Sequence, residues 1–249
     1  MNLKKSTSII TGGAHRVGKA IALELANYGS NIILHYGRSK EKADETVNEI
    51  KDLGVEVEAY SADLFSEMEI DNLFEKINEN YTYDIVVNSA ASFIKKSLIE
   101  TSYDDWNKSI DINLKAPFLI TKKTENILKS KNDSLIVNIS DLSGVYPWMK
   151  FASHGISKSG LIHLTKISAR ELAPNIRVNC ILPGPILPPP HMSGNEPEWI
   201  DMINNIPLKK SGNPQQIGHC VRFLAENEYV TGAIINVDGG ESLIGPMNH

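Results

Sequence analysis

The 249-residue chain is poor in several things, and each scarcity removes a class of explanation. It has two cysteines, Cys180 and Cys220, both in apolar contexts. Two thiols so placed make no disulfide framework and suit a reducing compartment. No apolar run is long enough for a membrane span. Lys4 and Lys5 are followed only by Ile9-Ile10 before glycines begin, so no signal peptide is expected. Positive charge is not in excess: the formal net charge is −5, which argues against a nucleic-acid-binding surface. His163, His191 and His219 stand in unrelated segments, and no metal-ligand spacing appears. Internal repeats and low-complexity linkers are also missing. What remains is an ordinary globular composition, sufficient for one α/β domain over residues 1–249, and a cytoplasmic location is expected.

The chain is organised around its first strand and turn. Ser8-Ile9-Ile10 runs into Thr11-Gly12-Gly13, and Gly18 opens a helical pattern of Ala20, Ile21, Leu23 and Leu25. Strand, glycine turn and helix together can present backbone N–H groups and a positive helix end to a phosphate. The same turn also joins strands to helices with no ligand, so it decides little alone. A second buried strand, Asn31 to Tyr36, ends in Gly37-Arg38-Ser39. No Asp or Glu lies between Asn31 and Lys40, where an acidic residue would bind a ribose 2′-hydroxyl. Arg38 with Ser39 can instead take a 2′-phosphate, which favours NADPH. A solvated turn arginine is the competing explanation, and Arg16 in the glycine turn weakens it.

Strands and helices then alternate. Helices are expected over Lys40–Leu53, Ser66–Asn80, Trp106–Lys129, Phe151–Ala173, Glu198–Asn204 and Pro214–Glu226. Strands are expected at Val55–Tyr60, Asp84–Asn88, Ser134–Ser140, Asn175–Ile181 and from Thr231 to the Asp238-Gly239-Gly240 turn. This order describes a Rossmann-like, doubly wound parallel sheet, with a ligand crevice at the carboxyl ends of its strands. Thr11-Gly12, Asn88, Asp141, the His154/Lys158 pair and Pro183-Gly184 all fall at or beyond such ends. His154 and Lys158, four apart on one helix, share a face. The Pro- and Gly-rich stretch opening at Pro185 reads as a substrate lid over about 185–205. Asp63 suits a helix N-cap. Asn113 is unhelpful in mid-helix, and nearby Pro117 would explain a kink there.

These motifs run along essentially the whole chain, and the sequence resembles the short-chain dehydrogenase/reductases. Within that family it is similar to the pteridine reductases. The carriers are Arg16 in place of a middle glycine, His35-Tyr36-Gly37-Arg38-Ser39 after the second strand, Phe93 after the fourth, and Asp141 thirteen residues before His154. The resemblance implies an NADP(H) site. Gly12, Arg16, Val17 and Gly18 would form the phosphate turn; Tyr36, Arg38 and Ser39 would hold the 2′-phosphate side; Asp63 and Leu64 would flank the adenine. Asn88, Ser89 and Ala90 would line the approach to the nicotinamide, with Ser140, Lys158, Pro183 and Gly184 completing its surroundings. It implies Asp141, His154, Lys158 and Asn113 as the catalytic set, with Asn113 bending its helix around a water, and Phe93, Arg16 and Asp141 as substrate contacts.

One departure is central. The family's Tyr-x-x-x-Lys reads His154-Gly155-Ile156-Ser157-Lys158. A histidine titrates in a useful range for a general acid. Three roles stay open: His154 as the working acid; His154 as spectator, with Asp141 and water or Tyr146 supplying the proton; or a site that has lost turnover. The implied reaction is hydride transfer to a pterin-like or carbonyl substrate. A 3-oxoacyl-carrier-protein or carbonyl reductase is one alternative, and an NADPH-binding scaffold or sensor is another. The family also implies a homotetramer built on the helices around Asn113 and Lys158. Phe118, Leu119 and Ile120, and Leu161, Ile162 and Leu164, give those helices more than one apolar face, and the tail from Ser242 to His249 could reach a neighbouring subunit.

Overall fold

The computed structural model describes residues 1–189 and 192–244. Seven parallel strands form one sheet in the order β3-β2-β1-β4-β5-β6-β7. They are β1 (Thr7–Thr11), β2 (Asn31–Tyr36), β3 (Val57–Ser61), β4 (Ile85–Asn88), β5 (Ser134–Ile139), β6 (Ile176–Pro183) and β7 (Ile234–Val237). The helices are α1 (Arg16–Asn27), α2 (Lys40–Asp52), α3 (Glu67–Asn80), α4 (Tyr103–Ile110), α5 (Ala116–Lys129), α6 (Ala152–Glu171), α7 (Pro197–Asn205) and α8 (Pro214–Glu226).

The central strands are buried on both faces, which is why they read as unbroken apolar runs rather than as alternating ones. Successive residues still divide between two cores. Ile10, Ile85, Val87, Leu135 and Val137 face α1 and α8, packing on Ile21, Leu25, Ile217 and Val221. Ile9, Val86 and Ile136 face the other side, packing on Phe74 and Ile77 of α3 and Ile120 of α5. The chain leaves β1 toward β2 on one side and returns to β4 on the other, so the strand order reverses between β1 and β4. A crevice opens at that reversal, beyond the carboxyl ends of the strands.

Element boundaries differ from the sequence expectation in instructive places. β6 runs on to Pro183, because edge strand β7 pairs with Cys180 through Pro183. The helix expected over Trp106–Lys129 is three pieces: α4, a π-helical turn at Asp111–Lys115, and α5. Asn113 lies within this π turn and Pro117 just after it, so both candidates for a kink sit at the distortion. Asp63 does not cap the following helix. Ser66 does so by accepting from the Glu69 N–H, while Asp63 closes a turn on the Phe65 N–H. The expected lid contains helix α7; its residues 190 and 191, including His191, and tail residues 245–249 lie outside the described set. Among the described residues no helix is long and apolar enough to cross a membrane. Both cysteines are free thiols, and burial pushes Cys180 up to about 12 and Cys220 up to about 11.

Candidate active site

Gly12 adopts φ +65°, and a Cβ there would lie 2.9 Å from the Ala90 Cα. A Cβ at Gly18 would lie 2.2 Å from the Gly12 carbonyl oxygen. The turn therefore closes only with glycine at both positions. Its N–H groups are not all open to a ligand, because His35 takes two of them. Gly12 N–H donates to His35 Nδ1 at 3.3 Å, and Gly13 N–H donates to the His35 carbonyl at 2.9 Å. The His35 Nε2–H then donates to the Ala62 carbonyl at 3.0 Å, which fixes a neutral ring. Burial pushes its pKa down in the same sense. What stays available to an anion is the start of α1, where no side chain caps the first turn. Thr11 fastens this turn to the next loop: its hydroxyl accepts from the Ser89 and Ala90 N–H groups at 3.0 and 3.2 Å.

Arg38 is exposed at the end of β2, with Tyr36 and Ser39 half-buried beside it. Arg16 takes a left-handed backbone conformation, φ 53°, and its guanidinium donates to the Pro188 carbonyl at 3.0 Å. The two arginines are thus differently employed, and Arg16 ties the glycine turn to the segment beyond β6. Leu64 is buried in the α3 core. Val17 packs half-buried against the α1 core. At the carboxyl end of β4, Asn88 donates to Asn138 Oδ1 at 2.8 Å, yet its own buried Oδ1 has no partner. Such an orphaned acceptor calls for a donor that the protein does not supply. Ser140 is buried and donates to the Lys158 carbonyl at 3.2 Å. Gly184 is pressed against the Asp238 backbone, 2.7 Å from its would-be Cβ.

The catalytic candidates do come together. α6 buries His154 and Lys158 with 1% and 3% of their surface exposed. The Lys158 ammonium donates to the Ile139 carbonyl at 2.8 Å; burial pulls its pKa down, against the pull of Asp141. His154 Nδ1 lies 2.9 Å from the Ser92 carbonyl and 3.4 Å from Asn113 Nδ2. A carbonyl only accepts, so the shorter contact puts a proton on Nδ1. On the other side Nε2 lies 2.6 Å from Asp141 Oδ2. Burial alone would raise the Asp141 pKa, but the charges of His154 and Lys158 and the hydrogen bonds from His154 and Ser143 outweigh it and hold it at about 2. The shared proton therefore rests on Nε2. His154 is a double donor clamped between a backbone carbonyl and a carboxylate. Asp141 Oδ1 also accepts from the Ser143 N–H at 2.9 Å and its hydroxyl at 2.5 Å. Of the pair, Asp141 reaches the crevice, with 18% of its side chain exposed.

Asn113 lies in the π turn and grips the loop after β4. Its Oδ1 accepts from the Ser92 N–H, and its Nδ2 donates to the Ser92 carbonyl and the Ser157 hydroxyl, all at 2.9 Å. Phe93, next along that loop, is 52% exposed, so it is no buried anchor. Its ring lies edge-on to His154 at 4.7 Å and tilted on Phe151 at 4.8 Å. Tyr146 does not turn toward Asp141; its hydroxyl donates to the Ser242 carbonyl at 2.6 Å. Sequence reasoning missed His35, Ser92, Ser143 and Ser157 as site builders. Three of them act through backbone groups or as short serine links, which carry no spacing signature.

Comparison with known proteins places the chain in a class. A family model described as enoyl-(acyl carrier protein) reductase matches residues 12–242. The chain belongs to the short-chain dehydrogenase/reductases, which are NAD(P)-dependent oxidoreductases. It is 34% identical over 244 residues to the 3-oxoacyl-[acyl-carrier-protein] reductase FabG of Thermotoga maritima, covering 96% of this chain and 99% of the relative. Among solved structures it resembles FolM alternative dihydrofolate reductase 1 from Brucella canis, complexed with NADP. The TM-score is 0.89 at 30% identity, covering 98% of this chain and 96% of that one. A blue fluorescent protein from a metagenomic library, in complex with NADPH, matches with TM-score 0.90 at 28% identity, covering 97% and 100%.

Proposed function

We propose that this protein is an NADPH-dependent reductase of a flat, pterin-like ring. The observation that carries the reading is the half-exposed ring of Phe93 set against His154, which is itself paired with Asp141. Phe93 offers a face for a planar ligand, and Asp141 offers a carboxylate to an amino-substituted edge. The uncapped start of α1 suits the pyrophosphate, and Arg38 with Ser39 suits a 2′-phosphate. The orphaned Asn88 Oδ1 is consistent with a ligand donor arriving near β4. When bound, the nicotinamide supplies the hydride. Lys158 is the residue that would hold its ribose, Thr11 would keep the turn registered against Ser89 and Ala90, and Pro183-Gly184 would close its far side. Asn113 holds the Ser92–Phe93 loop over the substrate.

The FolM structures, alternative dihydrofolate reductases complexed with NADP, support this reading. The FabG relatives support a 3-oxoacyl-carrier-protein reductase instead. A serine at 141 and a tyrosine at 154 would favour that alternative, and neither is present. The segment about 185–205 serves as the substrate lid, latched to the glycine turn through Arg16 and Pro188. Phe118 stays 44% exposed on α5, which suits burial in a homotetramer working in the cytoplasm on a small molecule.

The test is NADPH oxidation with a dihydropterin beside a 3-oxoacyl thioester. The reading expects turnover with the dihydropterin and little with the thioester. The reverse order would move the protein to the fatty-acid reductases, and firm NADPH binding with neither turned over would leave a scaffold or sensor. Arg38→Ala is expected to cut the preference for NADPH over NADH by about tenfold or more, the loss of a charge-assisted fork.

A further inference from the structure

We infer that the bond reduced is a C=N whose nitrogen enters already protonated, held by Asp141 as acceptor and counter-ion, and that a neutral ketone or 3-oxoacyl group is a poor substrate. The inference rests on the reductase reading above and names its substrate class.

Reduction of a carbonyl leaves negative charge on oxygen, so a site for it aims a proton donor at that oxygen. Four hydroxyls near Asp141 and His154 already have their protons committed. Ser143 donates to Asp141, Ser140 to the Lys158 carbonyl, Ser157 to the His154 carbonyl, and Tyr146 to the Ser242 carbonyl. His154 is sealed, with 1% exposure, one N–H on Ser92 and the other on Asp141. Lys158 spends one N–H on the Ile139 carbonyl and is the residue assigned above to the nicotinamide ribose. The group that does reach the crevice is a carboxylate, which only accepts. A carbonyl oxygen brought to it finds an acceptor where it needs a donor. An iminium N–H brought to it meets a charge-assisted hydrogen bond.

The chemistry then balances without a proton from the protein. The iminium carbon takes a hydride from NADPH, the C=N π pair withdraws onto nitrogen as a lone pair, and a neutral amine and NADP⁺ result. The charged and titratable groups around Asp141 are His154 and Lys158 from α6 and the Cys180 thiol from β6. His154 balances the carboxylate from behind and is a positioning residue in this scheme.

The experiment uses the full chain with NADPH and two cyclic imines of different basicity, such as 3,4-dihydroisoquinoline and a ring-substituted, less basic analogue, beside the matched ketone α-tetralone. The alkaline fall in kcat/KM is expected to follow each imine's own pKa, about tenfold per pH unit, and the ketone is expected to react about a hundredfold more slowly. In calorimetry on the NADP⁺-loaded protein, protonated 1,2,3,4-tetrahydroisoquinoline is expected to bind about tenfold more weakly to Asp141→Asn. A ketone reduced as fast as the imines would overturn the inference. So would an alkaline limb fixed at one pH for both imines. Dihydropterin turnover combined with no imine or amine recognition would also overturn it while leaving the reductase reading intact. No oxidation of NADPH by any of these, dihydropterin included, would fail both.

Discussion

His154 holds two acceptors at once, and that sets what its loss does. His154→Phe keeps a ring beside Phe93 but strips the Asp141 carboxylate of its partner and the Ser92 carbonyl of a donor. Breaking one side of a buried pair costs about 3 kcal/mol, so denaturant unfolding should show a fall of that order. Adding Asp141→Asn to the same chain should recover part of it, because the two losses share one interaction. His35 makes a pH prediction. Buried and neutral, it has a folded pKa below the ordinary 6.5. The unfolded chain then binds a proton that the folded chain refuses, so stability is full above 6.5 and declines as pH falls toward the folded value. His35→Gln can keep both hydrogen bonds without titrating. Thermal melts from neutral to mildly acid pH should slope in the wild type and flatten in the variant. Asp141 adds a later loss, as pH falls from 3.8 toward about 2.

At the scale of elements, the π turn between α4 and α5 matters most. It turns Asn113 inward, 1% exposed, where one side chain satisfies both the N–H and the carbonyl of Ser92. Asn113→Ala leaves those groups and the Ser157 hydroxyl short of partners, for about 3 kcal/mol of lost stability. Because the same bonds carry the loop bearing Phe93, KM for a planar substrate should rise more than kcat falls. Unfolding titrations and steady-state kinetics on one sample check both halves. An unchanged KM would detach Phe93 from substrate binding.

Over the whole molecule, the sheet was legible because buried parallel strands write themselves as apolar runs separated by glycine and amphipathic helices. Ile9-Ile10, Ile85-Val86-Val87 and Leu135-Ile136-Val137 are of this kind. The site was legible where chemistry needs a particular side chain: Asp141 and His154 meet at 2.6 Å, as the family resemblance implied. It was not legible where a side chain meets distant backbone. Nothing in the sequence marks the Pro188 carbonyl as the partner of Arg16, Ser242 as that of Tyr146, or Gly12 as that of His35. The Arg16 contact joins residues 172 positions apart and gives a prediction at this scale. Arg16→Ala should loosen the segment beyond β6, and the amides of Ile186, Leu187 and Gly212 should exchange hydrogen about tenfold faster. Unchanged exchange would mean that the contact latches nothing.

The most direct measurement follows the hydride itself. NADPH deuterated at both C4 positions is mixed with the protein and a dihydropterin, and the product is read by NMR. The account predicts one deuterium on the ring carbon that was doubly bonded to nitrogen, in step with NADPH oxidation. Tight NADPH binding with no deuterium transferred would contradict it.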